Sequence, residues 1–116
     1  MKPQFIIGAA SSGSGKTTFT MGLLRALAHR GMRVQPYKCG PDYIDTQFHS
    51  LASKQVSVNL DTWLASEEHV RSLYHSYGKD ADVCTVEGVM GLYDGYSGMK
   101  GSSAAMAALL DIPVIL

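Results

Sequence analysis

Apolar runs alternate along this chain with stretches whose apolar residues recur every three or four positions, the signature of β-α-β units around a parallel sheet. A first strand is predicted over about Gln4–Ala9. A first helix follows over Lys16 to His29, with Phe19, Leu23, Leu24 and Leu27 in helical spacing and Gly31 where a C-cap falls. Arg33–Tyr37 reads as a second strand. It leads into the irregular segment Lys38-Cys39-Gly40-Pro41-Asp42-Tyr43-Ile44-Asp45 and a short helix over Thr46 to Ser53. Ser66 has the character of an N-cap, with Glu67 and Glu68 in the first turn and Val70, Leu73, Tyr74 and Tyr77 along one helical face. A third strand spans Asp82–Glu87, and a glycine-punctuated loop runs to Gly101. A small-residue helix over Ser103–Leu110 and a last apolar run from Ile112 complete the pattern. The expected fold is a three-layer α/β domain of the P-loop NTPase type, a parallel sheet of about four strands with helices on both faces.

The turn between the first strand and the first helix changes this from an architecture into a chemistry. It reads Ala10-Ser11-Ser12-Gly13-Ser14-Gly15-Lys16-Thr17-Thr18, a phosphate-binding loop in the strand–loop–helix setting that the motif requires. Gly13 and Gly15 let backbone N–H groups close on phosphate oxygens, and the helix N-terminus adds its positive dipole end. The residues from Ser12 to Thr18 (Ser12, Gly13, Ser14, Gly15, Lys16, Thr17 and Thr18) are therefore the expected contacts of a nucleoside triphosphate such as ATP. Lys16 is expected on the β- and γ-phosphates and the Thr17 hydroxyl on Mg²⁺. Ala10 stands at the first motif position in place of glycine and is small enough for the turn to close.

In an open parallel sheet, ligands sit beyond the carboxyl ends of the strands. Asp42 and Asp45 follow the second strand, Glu87 ends the third, and Asp94 lies in the loop after it, so all four are expected to converge on the triphosphate. Mg²⁺ needs hard oxygen ligands, and one or two of these carboxylates with Thr17 would supply them. Lys38 also falls at a strand end, where it either stabilises charge on a transferring phosphoryl group or is an ordinary solvated loop lysine.

Ten basic and ten acidic side chains balance, which argues against nucleic acid or a membrane surface as partner. No apolar run approaches the roughly 20 residues of a spanning helix, and no signal peptide precedes the first strand. Cys39 and Cys84 are too few and too far apart for a disulfide framework or a zinc site, so a cytoplasmic protein with reduced thiols is expected, with Cys84 a small core residue. His29, His49, His69 and His75 show no metal-ligand spacing, and Trp63 is expected in a core or interface. The last run, Ile112-Pro113-Val114-Ile115-Leu116, stops inside what reads as a strand. That is expected of a piece of a longer domain, inactive by itself, with a sheet edge open to pairing in a homodimer.

Taken in order, S-S-G-S-G-K-T-T, Y-K-C-G-P-D-Y-I-D, N-L-D-T-W, V-E-G-V-M-G-L-Y-D-G and G-S-S-A closely resemble the N-terminal ATP-binding domain of cobyrinic acid a,c-diamide synthases, from about residue 5 to the end of the chain. The G-P-D-Y-I-D segment separates this pattern from the related cobyric acid synthases. Dethiobiotin synthetases and the chromosome- and septum-positioning switch ATPases share the first motif and the wider fold. The switches carry a signature lysine where this chain has Ser11. The resemblance implies ATP-dependent amidation of the a and c carboxylates of a corrin ring in cobalamin biosynthesis, through an acyl phosphate. Glutamine supplies the ammonia, released by a C-terminal glutaminase domain that this chain lacks. It further implies that Asp42, Asp45 and Glu87 meet the metal and γ-phosphate and that Asp94 orients the corrinoid or its reacting carboxylate. The loop Gly88–Gly101 is expected, from its glycines, to be a mobile cover.

Overall fold

The computed structural model of the chain describes residues 2–9, 15–40, 45–63, 65–89, 91–95 and 101–116. Strands and helices alternate: β1 Gln4–Ile7, α1 Lys16–His29, β2 Val34–Cys39, α2 Asp45–Ser53, β3 Val58–Leu60, α3 Glu67–Gly78, β4 Val83–Glu87, α4 Ser103–Leu110 and β5 Val114–Ile115. The strands form one parallel sheet in the order β3-β2-β4-β1-β5. The pattern predicts every one of these elements except β3. Its three residues, Val-Asn-Leu, are too short to show a period, and only pairing with β2 makes them a strand.

Every residue of β2 and β4 is buried, as strands covered on both faces must be, including the polar Gln35, Lys38, Thr85 and Glu87. The two faces carry different cores. Ile6, Tyr37, Cys39, Leu60 and Val86 pack beneath α3 and α4 with Val70, Tyr74, Met106 and Leu110. Val34 and Val83 pack beneath α1 and α2 with Leu24 and Ala52. The Tyr37 hydroxyl donates to the Tyr74 carbonyl at 2.6 Å, and the two rings lie 4.7 Å apart, which joins β2 to α3. Tyr77, predicted on the same helical face, is half exposed.

Helix capping separates α1 from α3 and α4. Ser66 and Ser102 cap α3 and α4 by accepting from the His69 and Ala105 N–H groups, and Glu67 and Glu68 add their charge to the first turn of α3. Helix α1 has no side-chain cap bond and no acidic residue in its first turn. Its N-cap is Gly15, in the left-handed conformation with φ 83°. Both features leave the amino end of α1 suited to an anion.

Candidate functional site

The strand order is what assembles the site. Because β4 lies between β1 and β2, Glu87 is in register with Lys38 on one side and Ile7 on the other. Side chains in register on a parallel sheet share a face. Lys38 and Glu87 therefore both rise toward α1 and α2, directly beneath Thr17 and Asp45.

Five side chains meet there: Thr17, Lys38, Asp45, His49 and Glu87. Lys38 Nζ lies 2.7 Å from Glu87 Oε2, 2.8 Å from Asp45 Oδ2 and 3.3 Å from the Gly88 carbonyl. The Thr17 hydroxyl is 3.0 Å from Glu87 Oε2 and 3.4 Å from Asp45 Oδ2. It has one proton to donate, and the nearer oxygen is that of Glu87. Glu87 Oε1 is 2.9 Å from His49 Nε2. Lys38, Glu87 and His49 are 3%, 0% and 0% exposed, so these polar groups are held out of water and must be satisfied by protein partners.

The electrostatics follow from that packing. Burial by itself pushes the Glu87 carboxyl up, but hydrogen bonds from His49 and Lys38, with the Lys38 charge, outweigh it and bring it down to about 2. Burial likewise works against the Lys38 ammonium, yet its bonds to Asp45 and Glu87 hold its proton more firmly than usual. Lys16 moves the other way: burial, then repulsion from Lys38, lowers it, while Glu87 and Asp45 pull against that shift. Burial raises the Cys39 thiol to about 12 and also raises Cys84, so neither is set up as a thiolate.

The residues fit Mg²⁺ and a nucleotide. Mg²⁺ takes one or two carboxylates with hydroxyl, water and phosphate oxygens, and Thr17, Asp45 and Glu87 present such oxygens at the uncapped end of α1. Lys16 opens the same helix. It lines a cleft of about 440 Å³ with Ala9, Gly15 and Phe19, below the end of β5.

Of the residues expected from sequence, Lys16, Thr17, Lys38, Asp45 and Glu87 are thus brought to one place. Gly15 caps the helix, and Thr18 is exposed on its first turn. Ser12, Gly13, Ser14 and Asp42 lie outside the described residues. Asp94 stands apart from the cluster: it is exposed, and its carboxylate accepts from the Gly91 N–H at 3.1 Å within its own turn. Of the expected covering loop, residues 90 and 96–100 lie outside the described residues.

Three readings change. Lys38 is not a solvated loop lysine, because β2 extends to Cys39 and carries it into the sheet. Of the two places expected for Trp63, the core is removed, because it is 67% exposed on the turn after β3. His49, one of four histidines without a pattern, touches Glu87. Its signal was its place four residues after Asp45, one turn along the same helix face. Among the described residues no helix is long and apolar enough to cross a membrane.

Comparison with known proteins bears on the fold and on the family. In solved structures, the signal recognition particle receptor FtsY from Elizabethkingia anophelis, in complex with GDP, matches with a TM-score of 0.57 and 17% identity, over 96% of this chain and 36% of that one. That likeness concerns the fold. In sequence, the chain is 51% identical to the cobyrinate a,c-diamide synthase of Dehalococcoides mccartyi over 98% of its length and 53% identical to that of Streptococcus sanguinis over 97%. It is 49% identical to the hydrogenobyrinate a,c-diamide synthase of Streptomyces coelicolor over 98%. The chain spans about a quarter of the length of these curated relatives. The family model of the CobQ/CobB/MinD/ParA nucleotide binding domain matches residues 5–115, nearly the whole chain. With that match over nearly its whole length, the chain belongs to the CobQ/CobB/MinD/ParA nucleotide-binding domain family.

Proposed function

We propose that the full-length protein carrying this chain is an ATP-dependent ligase that amidates the a and c carboxylates of cobyrinic acid, with glutamine as nitrogen source, in cobalamin biosynthesis. One observation carries the reaction class: Lys38 and Thr17 are clasped by Asp45 and Glu87 at the open end of α1. The choice of substrate is supported by about 50% identity to cobyrinate and hydrogenobyrinate a,c-diamide synthases. This chain is then the first part of the ligase domain, and a glutaminase domain in the remainder of the protein supplies ammonia.

A substrate carboxylate and a γ-phosphate are both anionic, so the protein's work is to hold them together and cancel charge. Lys16 and the amino end of α1 bind phosphate oxygens. Lys38, kept protonated by Asp45 and Glu87, offsets negative charge beside them. Thr17, Asp45, Glu87 and Asp42 are the residues that would hold Mg²⁺, which supplies charge neutralisation on the phosphates. The substrate carboxylate oxygen bonds to the γ-phosphorus as the bond to ADP breaks. Ammonia then bonds to the acyl carbon, loses a proton and expels phosphate. Asp94, exposed on the loop after β4, orients the corrinoid.

The test is ADP release by the full-length protein with Mg²⁺-ATP and glutamine, with and without a corrin a,c-diacid. Release that requires the corrinoid, with amide appearing on it by mass, is expected. Release indifferent to the corrinoid but responsive to a protein partner or to self-association would point instead to a nucleotide switch. Asp94→Asn is expected to raise the corrinoid KM more than the ATP KM, and equal effects on both would remove it from the corrinoid site.

A further inference from the structure

His49 rises from the same face of α2 as Asp45, one turn further on, and its ring is fully buried. Both ring nitrogens have partners: Nε2 is 2.9 Å from Glu87 Oε1, and Nδ1 is 3.3 Å from Ser57 Oγ. An ionised carboxylate only accepts, so the hydrogen on Nε2 points at Glu87. Ser57 is itself anchored, its N–H donating to Ser50 Oγ at 3.0 Å and the Ser50 hydroxyl donating to the Thr46 carbonyl at 2.8 Å. The turn after α2 therefore holds one edge of the ring, and the other edge grips the Glu87 oxygen that faces away from Thr17 and Lys38.

We propose that His49 is a positioning residue for the nucleotide site, holding Glu87 Oε1 so that Oε2 is preset toward Thr17, Lys38 and the Mg²⁺ that accompanies the nucleotide. The inference rests on the reading that Thr17 and Glu87 meet that cation. Its physical reason is competition for a carboxylate. Glu87 has three side-chain torsions, and beside the Lys38 ammonium it could turn both oxygens to that one charge. With Oε1 taken by His49, Lys38 engages only Oε2, which is also the oxygen next to Thr17. The carboxylate is then ordered before any ligand arrives, and partners of this kind typically contribute about 10- to 100-fold to metal affinity. Because Asp45 and His49 share α2, one helix sets both carboxylates of the site. A histidine that served only as a buried packing and hydrogen-bonding group would contribute stability and leave metal dependence unchanged.

The experiment measures binding of a fluorescent ATP analogue to the full-length protein as Mg²⁺ is titrated, and again in EDTA, alongside thermal melts. His49→Leu is expected to raise the Mg²⁺ concentration needed for half-maximal binding by about 10- to 100-fold while binding in EDTA changes little. His49→Gln, whose side-chain amide can donate to Oε1, is expected to recover most of that loss. Ser57→Ala, which removes only the anchor on Nδ1, is expected to cause a smaller shift of the same sign and serves if His49→Leu does not fold. A lowered melting temperature with an unchanged Mg²⁺ titration in His49→Leu, or in Ser57→Ala if that variant must stand in, would overturn the proposal. Glu87→Gln separates the two possible failures. If it shifts the Mg²⁺ titration and the His49 and Ser57 variants do not, only the role of His49 falls. If it too leaves the titration unchanged, the metal reading falls and the proposal with it.

Discussion

A carboxylate with no exposure to water is costly unless donors surround it, and Glu87 has three in Lys38, His49 and Thr17. Burial raises its pKa, and the bonds from His49 and Lys38 lower it by more than burial raises it, which gives a pH dependence with a definite sign. The carboxyl falls from 4.5 to about 2 on folding, so its contribution to stability is complete above about pH 4.5 and is lost as pH drops toward 2. Glu87→Gln should therefore melt well below the parent at neutral pH in metal-free buffer, and the gap should narrow steadily below pH 4.5. A constant gap across that window, followed by calorimetry, would contradict the assignment. Lys16 differs in kind: burial and the Lys38 charge destabilise its ammonium in this state, which favours a lysine that gains from an arriving anion. Lys16→Ala should weaken nucleotide binding by about 10- to 100-fold, the value of one charge-assisted hydrogen bond, with little change in melting temperature. Equal affinity in parent and variant, measured by isothermal titration, would remove Lys16 from the phosphate site.

At the scale of elements, the end of β4 is locked to the start of α4. Ser103 Oγ accepts from the Val89 N–H at 2.9 Å, and Ser102 caps the same helix. Gly88 makes that approach possible: a Cβ there would lie 2.3 Å from Ser103 Oγ and 2.9 Å from the Ile7 carbonyl. The second of these is backbone in β1 and cannot swing aside. Gly88→Ala should cost about 2–3 kcal/mol in chemical denaturation and should also displace Glu87, its neighbour, from Lys38. A variant as stable as the parent would show that both α4 and the end of β1 can yield to the added methyl. Helix α2 carries Asp45 in its first turn and His49 one turn later, so its docking over the sheet positions two site residues together.

Across the whole molecule, β4 is the centre of the sheet, flanked by β2 and β1, with β3 and β5 at the edges. Its residues are all buried, whereas Val114 and Ile115 of β5 are partly exposed. Amide hydrogen exchange should therefore be slowest in β4, at Thr85 and Val86, and faster in the three-residue β3 and the two-residue β5. Exchange in β3 as slow as in β4 would mean that the sheet does not fray from that edge.

The order of elements, the phosphate loop before α1 and the acidic ends of the second and fourth strands were all legible in the chain. Each rests on local pattern: a period of two or about 3.6, a capping residue, or a loop motif of fixed spacing. Lys16, Thr17, Asp45 and Glu87 could be named on that basis, and Lys38 could be placed at a strand end without choosing its role. The insertion of β4 between β1 and β2, the short strand β3, the burial of Lys38 and the hydrogen bond from His49 to Glu87 were decided only by the tertiary structure. Residues 38, 49 and 87 are neighbours through a strand crossover and a helix docked over it, and separations of this length leave no periodic trace in sequence. Local propensities determine which segments pair and pack; the non-local pairing determines which charges must then satisfy one another out of water.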